Sequence, residues 1–144
     1  MEQIPADQGR VRVVVVPDPA AAGDFTYTQP ICTRWRLISV GFEFQTSGTA
    51  ANRLVQLDIM MGTEVLIRSG LRGPIIASRT IQVSYFGVVG YAEVQDFRSM
   101  TGSLPEKMLL NNEMVIRTVT TNIQVGDQFS HIRILVEEWI EPLV

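Results

Sequence analysis

His131 is the one histidine of the chain and Cys32 its one cysteine, so these two side chains bound the nucleophilic and metal chemistry open to it. Histidine is the side chain that titrates near neutrality without help from its surroundings, and a hydrolase built on this sequence would need His131 as its base. In the alternating pattern of 130–140, His131 shares a face with Arg133, Leu135 and Glu137, opposite an apolar stripe. A solvent- or interface-facing role accounts for that position. Ser130 falls on the other face and so out of reach as a nucleophile. Cys32 could form a thiol–imidazole dyad with His131, but its place between Pro30 and Arg34-Trp35-Arg36 reads as a half-buried structural thiol. One Cys and one His allow no intrachain disulfide, and the usual Cys/His zinc cage lacks its ligands.

Paired acids are the next candidates, because a glycosidase needs only two. Glu137 and Glu138 are adjacent on an expected strand and must face opposite sides. Glu137 and Glu141 share a nominal face, but Pro142 ends the strand near them. Asp58 and Glu64 flank a hairpin and could approach, as many surface acids do. Asn122, Gln124 and Asp127 lack the spacing of a calcium loop and read as turn residues bonding their own backbone. Gly87-Val88-Val89-Gly90 precedes no helix and no Gly-Lys-Ser/Thr, so it is no phosphate loop. No catalytic, cofactor or metal set emerges, and the expectation is a protein that is not an enzyme.

Binding is the remaining class. The twelve basic residues are eleven Arg and one Lys, Lys107, a skew that suits paired or interfacial cations and that genomic base composition also produces. Charged residues are 19% of the chain, below the roughly 25% of average soluble domains, which hints at surface covered by other subunits. Trp35, flanked by Arg34 and Arg36, stands in the alternation opposite Ile38, Val40 and Phe42. With Trp139 it supplies the residue types enriched at protein–protein hot spots, or alternatively the ring faces of a sugar site. A net charge of −3 and a pI near 5.1 argue against nucleic acid. Val11 to Val16, broken by Arg12, is far short of the ~20 apolar residues of a membrane span. Met1 to Gln8 lack a basic-then-apolar leader pattern, so assembly in a cytoplasm is expected.

The elements that must position these residues are strands. Arg10 to Val16 is a β-branched run stopped by Pro17-Asp18-Pro19. Trp35 to Thr46 places Ile38, Val40, Phe42 and Phe44 on one face. Val55, Leu57, Ile59 and Met61 alternate up to Gly62-Thr63, a tight reversal into Glu64 to Arg68. Further strands are expected at Thr80–Tyr85, Tyr91–Phe97, Glu113–Thr121 and Ser130–Ile140, the last burying Ile132, Ile134, Val136 and Ile140. Ser99 to Glu106 reads as a loop, and Pro105 to Leu110 is a helix candidate too short to matter. About eight antiparallel strands in 144 residues are most economically an all-β, two-sheet jelly-roll sandwich, with a simpler sandwich or barrel as the alternative. The expected division is one domain over 1–144: an N-terminal arm over 1–8, a sandwich over 9–140 and a C-terminal tail over 141–144.

Three stretches carry a resemblance: Thr33-Arg34-Trp35-Arg36-Leu37-Ile38-Ser39-Val40, Thr46-Ser47-Gly48-Thr49-Ala50-Ala51-Asn52-Arg53, and Arg117 through Asp127 and His131 to Trp139. Together they resemble small jelly-roll proteins encoded among the virion structural genes of tailed bacteriophages. The resemblance implies a capsid cement or decoration protein on the virion surface. Such a protein forms homo-oligomers, often trimers, and clamps neighbouring major capsid protein subunits without catalysis. It implies structural roles for Asn52, Arg53 and Asp127. On this reading the interface candidates are Arg34, Trp35, Arg36 and Trp139, with Ile4, Pro142 and Leu143 in the tethering tails. A tail, collar or fibre component that binds host glycan is the alternative, and a non-viral lectin-like module a further one.

Overall fold

Period-2 alternation runs through most of the chain, and the computed structural model, which describes residues 9–71, 73–87, 98–111 and 113–140, is built of strands. They are β1 (Arg10–Val16), β2 (Thr26–Thr28), β3 (Thr33–Gln45), β4 (Leu54–Met61), β5 (Glu64–Gly70), β6 (Thr80–Phe86), β7 (Ser99–Ser103), β8 (Leu109–Leu110), β9 (Val115–Thr121) and β10 (Gln128–Ile140). One sheet has the order β1-β10-β3-β6-β7, with β8 also paired to β3; the other has the order β2-β9-β4-β5. β1 to β4 alternate between the sheets, β9 returns between β2 and β4, and β10 returns between β1 and β3. That winding is a jelly roll.

The described strands number ten rather than about eight. β2 is three residues long, too short to show a period. β7 occupies the expected loop: Gly102 faces Tyr85 across the β6–β7 pair, and a Cβ there would collide with the tyrosine ring. Its glycine therefore serves close packing, and the β6–β7 pair is parallel in a sheet otherwise antiparallel. In place of the helix candidate at 105–110, Leu109 and Leu110 pair with Arg36 and Trp35 as β8. The strand expected at 91–97 lies outside the described residues. Gly62, at φ +61, opens the two-residue β4–β5 turn in the manner of type II′.

Two bulges in the β3–β10 pair set which side chains of these strands enter the core. Opposite β10, β3 runs in register from Thr33 to Leu37, skips Ile38, and resumes at Ser39. A one-residue slip exchanges the two faces of a strand, so Trp35 and Leu37 point inward before the slip and Val40, Phe42 and Phe44 after it. Trp35, expected opposite the apolar stripe, is therefore wholly buried. On β10 the second bulge falls at His131, at φ +51, between the Ser130–Glu43 and Arg133–Gly41 rungs. Beyond it Ile132, Ile134 and Val136 are buried as expected, whereas Ile140 is exposed at the strand end.

Between the sheets, the ring of Phe129 stacks on Phe44 at 4.3 Å and meets Phe42 edge-on at 5.3 Å, and Phe25 closes the cluster. Val55, Leu57 and Ile59 of β4 and Ile81, Val83 and Tyr85 of β6 complete the centre. Burial pushes the Tyr85 hydroxyl pKa far up.

Candidate interaction site

β3 and β10 pair along their full lengths, and that pairing brings together four of the candidate residues. The rungs Arg34–Trp139, Trp35–Glu138 and Arg36–Glu137 are consecutive. Because rungs alternate in face, the middle one is inside and the outer two lie on the solvent face of the six-stranded sheet. Inside, the Trp35 indole N–H donates to Glu138 Oε2 at 2.8 Å, and Arg12 of β1 reaches the same oxygen at 3.0 Å. Tyr27 of β2 stacks on the Trp35 ring at 5.9 Å. Glu138 is thus a buried carboxylate held by an indole and a guanidinium, as a buried charge requires. Trp35 has no surface to offer a partner, which removes it from the interface and makes it a core residue of this end of the sandwich.

Outside, the Arg34 guanidinium lies 4.9 Å above the Trp139 ring, within cation–π range. Arg36 donates to Glu137 Oε2 through Nε, at 3.2 Å, and Nη2, and the Gly9 amide donates to Glu137 Oε1 at 3.1 Å. These donors, Arg36 first, hold the Glu137 carboxyl below its ordinary pKa. Arg36 also borders a shallow depression of about 220 Å³ with Ile38, Glu106 and Lys107. Trp139 is half-buried, and its indole nitrogen is buried without a hydrogen-bond partner. Ile4, Pro142 and Leu143 lie outside the described residues.

The same face continues onto β1, where sequence reasoning named no site. Val11, Val13 and Val15 stand on the outer face, beside Glu137, Leu135 and Arg133 of β10 respectively, and all three are exposed. The signal was present in the sequence: Val13 to Val16 is apolar at every position, a pattern expected of a strand covered on both faces. Here the covered face is Val14 and Val16, and the other is bare.

Elsewhere, polar side chains form closed groups. His131 is exposed on the face expected for it, but the bulge changes its neighbour: Ser130 Oγ lies 3.2 Å from His131 Nδ1 rather than on the far side. Glu43 Oε2 is 3.8 Å from that same Nδ1 and accepts from Gln82. A hydrolytic triad engages its serine and its acid through different ring nitrogens, and both neighbours here meet one. Cys32 sits before the Thr33–Ile140 end of the β3–β10 pair, while His131 sits at the opposite end, roughly 30 Å of strand away. Asp58 lies beside Arg68 and Arg117 on its two neighbouring strands and not beside Glu64, whose partner is Met61. Glu137 and Glu138 face opposite sides as expected. Among the described residues no three His, Cys, Asp or Glu side chains converge as metal ligands.

The chain matches no protein-family model, and a search of curated proteins finds no match.

Proposed function

We propose that the protein is a non-enzymatic structural subunit of a tailed-bacteriophage virion, of the capsid cement or decoration type, which self-associates and bridges major capsid protein subunits. The observation that carries the reading is the outer face of the six-stranded sheet: exposed Val11, Val13 and Val15 continue into Leu135, Arg133, Glu137, Arg36, Arg34 and Trp139. An apolar strip bordered by arginines and a half-buried tryptophan has the composition of a protein-binding surface. The resemblance in the β3, 46–53 and β9–β10 segments supplies the virion context. A two-sheet sandwich whose buried Arg53–Asp127 pair ties two connections together also suits a part that must bear load without a cofactor.

The test is binding to heads assembled without this protein. The native chain should co-sediment with such heads to saturation. Arg34→Glu combined with Trp139→Ala should lower affinity at least tenfold, with cooperative unfolding retained. Arg34 and Trp139 are chosen because both lie on the solvent face of the sheet. Binding to host glycan and not to heads would replace this reading with that of a tail, collar or fibre component.

A further inference from the structure

We propose that the edge of β1, unpaired among the described residues, is a self-association site, and that its occupant is the β1 edge of a second copy, antiparallel about a two-fold axis at Val13. The proposal concerns the protein in solution and rests on the virion reading only for self-association, whose geometry it specifies; binding to heads stands or falls by its own test. β1 is the outermost strand of its sheet, and its seven-residue register with β10 carries no bulge. An unpaired strand edge presents a row of N–H and C=O groups, and monomeric proteins blunt such edges with proline, bulges, lysine or inward charges. β1 contains no proline or lysine; of its two arginines, Arg12 is neutralised by Glu138 at 3.0 Å and Arg10 stands at the strand's first position. The other edges are less suited: β2 has three residues, and β5 leans on β7, where Ser69 Oγ donates to Ser103 O at 2.6 Å.

The register singles out the partner. A two-fold axis normal to the sheet keeps outer faces together, so it must pass at a residue that pairs with itself. At Arg12 it would oppose two guanidiniums. At Val14 it would set Val11 against Pro17. At Val13 it pairs Val13 with Val13 and Val11 with Val15, joining side chains that are 54%, 63% and 62% exposed in the isolated chain. β-Branched pairs directly opposite one another stabilise antiparallel sheets. On the inner face the same register sets Arg12 against Val14, so no like charges meet.

The flanking rows raise no charge conflict. Beside Val15, Val13 and Val11 run Arg133, Leu135 and Glu137 of β10. The two-fold puts the Arg133 row of one copy in line with the Glu137 row of the other, with Leu135-Val13-Val13-Leu135 between them. Glu137 is already paired with Arg36, so the apolar centre carries the join and no like charges face across it. A three-fold arrangement joins two different patches and would not use this self-complementarity.

The experiment uses the full chain. Sedimentation over a dilution series should give a species of twice the 16.1 kDa chain mass, which Val13→Lys reduces to monomer while the cooperative unfolding transition is retained. Cross-linking then tests the register, in a Cys32→Ser background. Facing Cα atoms in an antiparallel pair are about 4.5–5.5 Å apart, within disulfide reach. Mild oxidation should therefore link Val13→Cys to itself, and a mixture of Val11→Cys with Val15→Cys, but neither of those two alone. A monomer at all concentrations, a trimer, or a dimer in which Val13→Cys links no better than Val11→Cys alone would overturn the proposal.

Discussion

Arg53 and Asp127 are 74 positions apart in sequence, and neither side chain reaches solvent. Arg53 Nε donates to Asp127 Oδ2 at 2.9 Å, and its remaining nitrogens reach the Ala51 and Thr49 carbonyls. Asp127 also accepts from the Ser47 and Gln124 amides at 2.8 and 2.7 Å. The pair therefore locks the β3–β4 connection to the β9–β10 turn. Removing one partner of a buried pair leaves the other charged and desolvated, so Arg53→Met should cost about 3–5 kcal/mol, read as a fall in the urea midpoint. Burial alone would raise the Asp127 pKa, but Arg53 and the two amides outweigh it and hold the carboxyl below its ordinary value. Hydrogen bonding from Arg68 does the same for Asp58 against its burial, aided by Arg117. A carboxylate with a depressed folded pKa contributes stability that is present above its unfolded value and is lost as pH falls through the folded one. Stability should hold down to about pH 4–5, fall steeply below that, and do so less steeply in Asp127→Asn. An acid limb as steep in Asp127→Asn as in the native chain would contradict this. In the sequence Asp127 was legible as a turn residue and Arg53 only through the structural role the resemblance implies, because arginine is ordinarily exposed and nothing local shows a partner so distant.

At the scale of elements, the two bulges of the β3–β10 pair explain most of what alternation alone misplaced; a third slip, at Leu66 in the β4–β5 pair, lies beside Met61, which alternation placed with Val55, Leu57 and Ile59 and which is exposed. Val55, Leu57 and Ile59, Ile81, Val83 and Tyr85, and Ile132, Ile134 and Val136 are buried where their period puts them. Trp35 and Ser130 are not where theirs does, because each lies on the far side of a slip from the residues that set the phase. A bulge inserts one residue without a composition change, and its position depends on the partner strand. His131 itself holds φ +51, a region that costs most side chains roughly 1–2 kcal/mol and glycine little. His131→Gly should therefore leave the urea midpoint unchanged or raise it, whereas His131→Val should lower stability by about 1–2 kcal/mol. Equal midpoints for the two variants would argue against a left-handed backbone at that position. Deleting Ile38 should remove the bulge and leave Leu37 opposite Val136 and Ser39 opposite Leu135 in unbroken alternation, with Thr33, Trp35 and Leu37 still inward. The expected result is cooperative thermal unfolding retained by circular dichroism, and its loss would contradict Ile38 as the extra residue.

At the scale of the whole molecule, the sheet architecture was legible because a jelly roll is held by many alternating strands, and any one misread strand changes little. The proposed interaction face was only half legible. Arg34, Arg36 and Trp139 announced themselves by residue type, but Val11, Val13 and Val15 become a surface only when β1 proves to be an edge strand with one bare face. The proposed role turns on how many copies of this face a particle carries. The most direct measurement is therefore the copy number of the chain in purified virions, by quantitative mass spectrometry against the major capsid protein. A cement protein should be present within severalfold of the capsid subunit; a ratio lower by orders of magnitude, or absence from the particle, would contradict the account.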